Sequence, residues 1–197
     1  WIYETAEQIN GTPALVNGKT VVLGGCDALV HVVDVTNGKA VNEVQVDAEI
    51  IGTVATMGSM VYSANYGNQL VAVDIEKKKP KWTYEDKDFG FYAAPALNNE
   101  LIFIGSRDKH LHAVNRESGK RAWRFKTGSR IDGGAIVFRD AVVFGSGDGR
   151  VYALKPSDGS EIWRLDLGEG IGSDLAFASG CIVVGGSDGS LFCIEGQ

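Results

Sequence analysis

Residues 113–123 read Ala-Val-Asn-Arg-Glu-Ser-Gly-Lys-Arg-Ala-Trp. The same frame returns at 153–163 as Ala-Leu-Lys-Pro-Ser-Asp-Gly-Ser-Glu-Ile-Trp and, more loosely, at 72–82 as Ala-Val-Asp-Ile-Glu-Lys-Lys-Lys-Pro-Lys-Trp. Counted from its last residue, the register runs Trp1, Asn42, Trp82, Trp123, Trp163, with steps of 41, 40, 41 and 40 that capture all 4 tryptophans of the chain. A period of about forty residues is the signature of a repeat architecture, and it is decided before any single element is assigned.

Working outward from the tryptophan, other landmarks keep the same register. A short polar turn stands at Asp27-Ala28, Gly67-Asn68, Asp108-Lys109, Asp148-Gly149 and Asp188-Gly189. Such dipeptides tolerate positive φ and suit hairpins. An alternating apolar strand follows each, as in Val30-His31-Val32-Val33-Asp34 and Leu111-His112-Ala113-Val114-Asn115. A second turn, centred on Gly38, Lys78, Gly119 or Gly159, precedes the tryptophan strand by four residues. Beyond the tryptophan comes a small-residue segment, such as Gly11-Thr12-Pro13-Ala14-Leu15 or Gly133-Gly134-Ala135-Ile136, assigned here to the crowded innermost strand. A fourth strand, 101–105 or 141–145, completes the set.

Four short strands per repeat, without helical periodicity, predict an all-β chain: a β-propeller of four-stranded antiparallel blades, five blades' worth in all. A β-sandwich does not predict strict repetition. The repeats fall at about 1–41, 42–81, 82–122, 123–162 and 163–197. They read as a single propeller domain or as the C-terminal portion of a larger ring.

The 197 residues include 26 Gly but only 4 Pro, which suits many tight turns. A net charge of -6, from 19 basic and 25 acidic residues, argues against nucleic acid. The basic run Lys77, Lys78, Lys79 and Lys81 is read as a solvated hairpin tip. No apolar run approaches the roughly eighteen residues of a membrane-spanning helix. The chain opens on Trp1 and not on methionine, which leaves room for an upstream signal, anchor or domain.

The pattern at 113–123 and its copies resembles the repeat of the pyrroloquinoline-quinone-like propellers. That resemblance implies blades docked on one another through Trp1, Trp82, Trp123 and Trp163. Asn42 departs from the pattern, and its pocket is expected to be refilled. The family includes quinoprotein dehydrogenases, but their adjacent cysteine pair has no counterpart, since Cys26, Cys181 and Cys193 stand far apart in sequence. Other members are scaffolds in bacterial envelopes. The resemblance therefore implies an exported, periplasmic protein that binds a protein partner and carries no catalytic site, cofactor or metal. The alternative is a quinone-dependent dehydrogenase-like or ligand-sensing propeller whose site lies in further N-terminal blades.

Other constellations have plainer readings. Glu85-Asp86-Lys87-Asp88-Phe89-Gly90 lacks ligating side chains at the later positions of a calcium loop. Gly18-Lys19-Thr20 has Pro13 where a phosphate loop needs glycine. His31 and His112 share a repeat position that elsewhere holds Val71, Tyr152 and Phe192, so they are taken as packing residues. The three cysteines are expected to be buried, with Cys193 opposite Val184 and Cys181 out of register for a bridge.

Candidate ligand- or partner-facing residues lie just before each innermost strand, at one mouth of the axial channel. The residues there are Asn10, Ile51, Tyr92, Asp132 and Ile171, of which Asn10, Tyr92 and Asp132 have the polar chemistry for contact. Finally, residues 1–5 match the tryptophan strand while 190–195 lacks one. The complementary ends are expected to pair, within the chain or through self-association.

Overall fold

The computed structural model describes residues 1–86, 89–138 and 140–195; the calcium-loop reading at 85–90 falls partly outside them. The chain divides into two compact units, Trp1–Phe91 and Tyr92–Gln197. The first holds two antiparallel sheets, β1 (Ala14–Val16), β2 (Thr20–Gly24), β3 (Leu29–Asp34), β4 (Ala40–Gln45) and then β5 (Ala55–Met57), β6 (Met60–Ala64), β7 (Leu70–Asp74), β8 (Lys79–Tyr84). The second holds β9 (Ala96–Leu97), β10 (Leu101–Gly105), β11 (His110–Asn115), β12 (Arg121–Lys126), then β13 (Ile136–Phe138), β14 (Ala141–Gly145), β15 (Arg150–Leu154), β16 (Glu161–Asp166). It ends with β17 (Ala176–Ala178), β18 (Cys181–Gly185) and β19 (Leu191–Glu195).

Strands lie in sheet order as they do in sequence, because each connection is a hairpin. Asn17 and Gly18 carry positive φ between β1 and β2, which settles Gly18-Lys19-Thr20 as a turn. The middle strands of the first four sheets are largely apolar, and β6, β7 and β10 are buried throughout, as strands shielded on both faces are. The core accordingly sits between neighbouring sheets. Val22, Val30, Val32 and Val44 of the first sheet meet Val61 and Val73 of the second, and Phe103 and Leu111 meet Phe144 and Tyr152 in the other unit. Each such aliphatic or aromatic side chain contributes about 1.5–3 kcal/mol on burial.

The pairing of third with fourth strand slips by one residue just past Val32, Ala72, Ala113 and Ala153, opposite Asn42, Trp82, Trp123 and Trp163. A bulge bends a strand and re-aims its side chains, here at the tryptophan register. Trp123 donates from Nε1 to the Pro156 carbonyl at 2.9 Å, and its ring lies so close to Gly159 that a Cβ there would come within 2.6 Å.

Four expectations need correction. The small-residue segments only run into the innermost strands, their glycines preceding them: β1, β5 and β13 start at Ala14, Ala55 and Ile136. Their smallness serves contact with the next repeat, for a Cβ on Gly11 would stand 2.1 Å from the Gly52 carbonyl oxygen and one on Gly133 2.0 Å from that of Ser173. Residues 1–5 form no strand, and the last sheet has 3 strands, so the expected pairing of 1–5 with 190–195 is not formed within the chain. Trp1 instead donates to the Val35 carbonyl at 2.8 Å and lies over Gly38, as Trp123 does over Gly159.

The β18–β19 hairpin is centred on Asp188 alone, because Gly185 pairs with Leu191; Cys193 therefore faces Val183 and Cys181 faces Glu195. A five-residue loop shifts the register by one from the even-numbered loop assumed. The two sulfurs and a Glu195 oxygen lie within 4.8 Å of one another. Contrary to the expected burial, Cys193 is exposed and Cys181 half-buried, since among the described residues no fourth strand covers β19, and Cys26 is half-buried because it lies in the turn past β2 and not in a strand. The Cys181 thiol is pushed up to about 11, first by its contact with Cys193, so it stays protonated at neutral pH.

Candidate functional site

The ends of the middle strands and the segments before the innermost strands meet through a recurring backbone contact. Ile50 N–H donates to Gly25, Ile131 to Ser106 and Ile171 to Ser146, at 3.1, 3.1 and 3.0 Å. This alignment corrects Ile171, which matches Ile131 and not Asp132; the residue equivalent to Asp132 is Gly172. The β16–β17 connection is thus one residue out of the spacing read from sequence.

In the second unit this alignment carries Tyr92 and Asp132 to a common cluster. Arg107, from the β10–β11 turn, lies over the Tyr92 ring at 4.0 Å and donates from Nε to Asp132 Oδ1 at 2.9 Å. Arg130 donates from Nε to the other carboxylate oxygen, also at 2.9 Å. Two guanidinium groups thus share one carboxylate, leaving a local excess of one positive charge on an acidic chain. The Arg130 side chain is 61% exposed and Asp132 only 20%, so the acid anchors the arginines while their remaining N–H groups face solvent. The ion pairs themselves contribute little to stability, about 0–1 kcal/mol each. Beside them a cavity of about 400 Å³ is floored by Gly147, Gly170 and Gly172.

Asn10 belongs to the first unit, where its amide donates to Cys26 Sγ at 3.1 Å. Burial, then the carboxylates of Glu49, Glu7 and Asp27, push the Cys26 thiol up, which makes it a poor nucleophile. Sequence reasoning missed Arg107 and Arg130. The available signal was that Arg107 occupies the register held elsewhere by Cys26, Tyr66, Gly147 and Ser187, a cation with no counterpart in its sister repeats.

A second pattern also escaped notice. The turn aspartate reaches the side chain four residues on: Asp27 to His31 at 3.1 Å, Asp108 to His112 at 3.2 Å, Asp148 to the Tyr152 hydroxyl at 2.8 Å. The Asp-x-x-x-His spacing could have revealed it. His31 and His112 are buried as expected, but each is held by a carboxylate. Tyr3 closes the first of these clasps, its hydroxyl donating to Glu43 at 2.9 Å, and burial followed by the Glu43 hydrogen bond pushes it up to about 12.

Burial raises the Asp108 carboxyl, but the hydrogen bond and charge of His112, with His110, outweigh it and the net shift is downward. A lowered folded-state value adds stability above the ordinary carboxylate range and forfeits it as pH falls. Urea titration should therefore find the chain losing stability as pH drops below about 4, and Asp108→Asn should flatten that dependence. An unchanged acid limb in the variant would remove Asp108 as its source.

The described residues thus offer an exposed arginine–tyrosine–aspartate cluster. A profile of the family described as outer membrane protein assembly factor BamB matches residues 1–109 and 107–197. The crystal structure of BamB from Moraxella catarrhalis is similar with a TM-score of 0.80 at 22% identity, over 100% of this chain and 60% of that one. The chain thus spans 60% of the length of that structure's chain. At that identity the likeness establishes the fold, a β-propeller of four-stranded blades. No curated protein sequence is similar enough to count as a match. With both halves of the chain matched by one profile, the protein belongs to the BamB family of PQQ-like repeat β-propellers.

Proposed function

We propose that the chain is a non-enzymatic propeller scaffold that docks protein partners in a bacterial envelope, on its periplasmic side, within outer-membrane protein assembly. The observation that carries this reading is the cluster of Tyr92, Arg107, Arg130 and Asp132 in a member of the BamB family. A stacked tyrosine and exposed guanidinium groups are the residue types that anchor protein interfaces. Their excess positive charge suits a partner that presents carboxylates.

The test is binding to purified outer-membrane assembly machinery, comparing the chain with its Arg107→Glu/Arg130→Glu variant. Reversing both charges should weaken binding about tenfold or more, mainly through faster dissociation. Equal binding would refute this face as the dock. In the same reading, added pyrroloquinoline quinone with calcium should produce neither saturable binding nor dye reduction. Observing both would replace the scaffold with the quinone-dependent alternative.

Self-association belongs to the same proposal. The open edge of β19 and the Trp1-Ile2-Tyr3 segment have matching patterns, and copies joined head to tail would run larger with rising concentration in light scattering. A concentration-independent monomer ends this part of the reading.

A further inference from the structure

We propose that the cleft between the first and second sheets, at Asn42, is a binding site for a small indole-like planar aromatic molecule. The inference goes beyond the scaffold reading and rests on a comparison of sister positions within one chain.

Two of those positions show what the slot is built to hold. Trp1 gives its indole N–H to Val35 and lies over Gly38; Trp123 gives its own to Pro156 and lies over Gly159. At the register between Trp1 and Trp82 stands Asn42, and its amide donates to the Ile75 carbonyl, which is the repeat equivalent of Val35 and Pro156. The polar end of an indole is reproduced there. Its ring is not.

Where that ring would lie is an open cavity of about 350 Å³, walled in part by Val16, Val32, Val41 and Ile75 and in part by the polar residues Asn17, Thr20, Ser59, Glu76 and Lys78. This corrects the expectation that the pocket had been refilled. Its size lies at the small end of ligand pockets, which run from about 300 to 1,000 Å³.

Lys78 explains why the chain does not fill the slot with its own aromatic. It has φ 55°, beside 69° at Gly38 and 74° at Gly159, so its backbone follows the sister turns while carrying a side chain. A Cβ placed on Gly38 would stand 2.5 Å from the Trp1 ring. A ring tethered at position 42 would meet Lys78 in the same way. A free molecule is not tethered and can slide outward by the ~1 Å that restores ordinary contact at about 3.5–4 Å. There it lies along the lysine stem with the ammonium near its face, an arrangement that favours electron-rich rings and indole above others.

The experiment is titration of the intact chain with indole, followed by calorimetry and by amide and methyl chemical shifts. Saturable binding is expected, with shifts centred on Val16, Val32 and Ile75. Asn42→Trp/Lys78→Gly installs the tethered ring and the glycine it needs, and should reduce indole affinity at least tenfold. Lys78→Glu, a surface change, should weaken binding about fivefold. The proposal is overturned if indole fails to saturate by roughly 10 mM, if the shifts centre elsewhere, or if the filled variant binds as well as the parent. Should the filled variant not fold, the shift map and Lys78→Glu decide alone.

Discussion

Trp123→Ala is expected to destabilise the chain by about 3–5 kcal/mol, the usual cost of emptying an aromatic site that cannot collapse. Three contacts are lost together: the hydrogen bond to Pro156, the packing on Phe103 at a centroid separation of 5.7 Å, and the cover over Gly159. The ring sits between β12 and the following repeat, so its removal opens a gap that neither rigid sheet can close. Urea unfolding monitored by far-UV circular dichroism would measure the loss. A change under about 1 kcal/mol would mean that Trp123 is not a docking residue.

Gly159→Ala should cost about 2–4 kcal/mol although it adds a single methyl group. About 1–2 kcal/mol is strain, because φ is 74° and L-residues are disfavoured there. The remainder comes from the new Cβ, which would lie 2.6 Å from the Trp123 ring and force it from its seat. The two parts separate in a double-mutant cycle. In the Trp123→Ala background only the strain survives, so Gly159→Ala should then cost about 1–2 kcal/mol, leaving a coupling within the usual ~0.5–3 kcal/mol for touching residues. Strict additivity would refute the ring-on-glycine contact. Lys78 is the natural control: at a sister turn whose register lacks a tryptophan, a side chain is tolerated at φ 55°.

That pairing of tryptophan with glycine, and of Asn42 with Lys78, was present in the sequence but not legible there. The register gave five equivalent positions, yet it could not tell whether a missing ring leaves a space or is replaced, since that depends on side chains from β1 and β3 that approach only in the fold. The candidate site behaved similarly. Tyr92 and Asp132 stood out as candidates because they share a repeat position, and repeat position is a property of sequence. Arg107 and Arg130 were overlooked because their value lies in reaching one carboxylate from two connections, 25 and 2 residues away in chain number. The hairpin of Cys181 and Cys193 failed for a smaller reason: a loop longer by one residue moves every partner along the strand by one.

The sequence by itself determined the all-β class, the forty-residue repeat, the middle strands with the hairpin turns of the first four repeats, and the tryptophan register, because period-2 alternation and turn chemistry are local and the same code is written five times. Only the tertiary structure decided what lies across the gaps between repeats. It put an amide where an indole is missing, a carboxylate between two arginines and three cysteines out of the core. Close packing between neighbouring sheets depends on the volumes of residues about forty apart, and no local pattern encodes that fit.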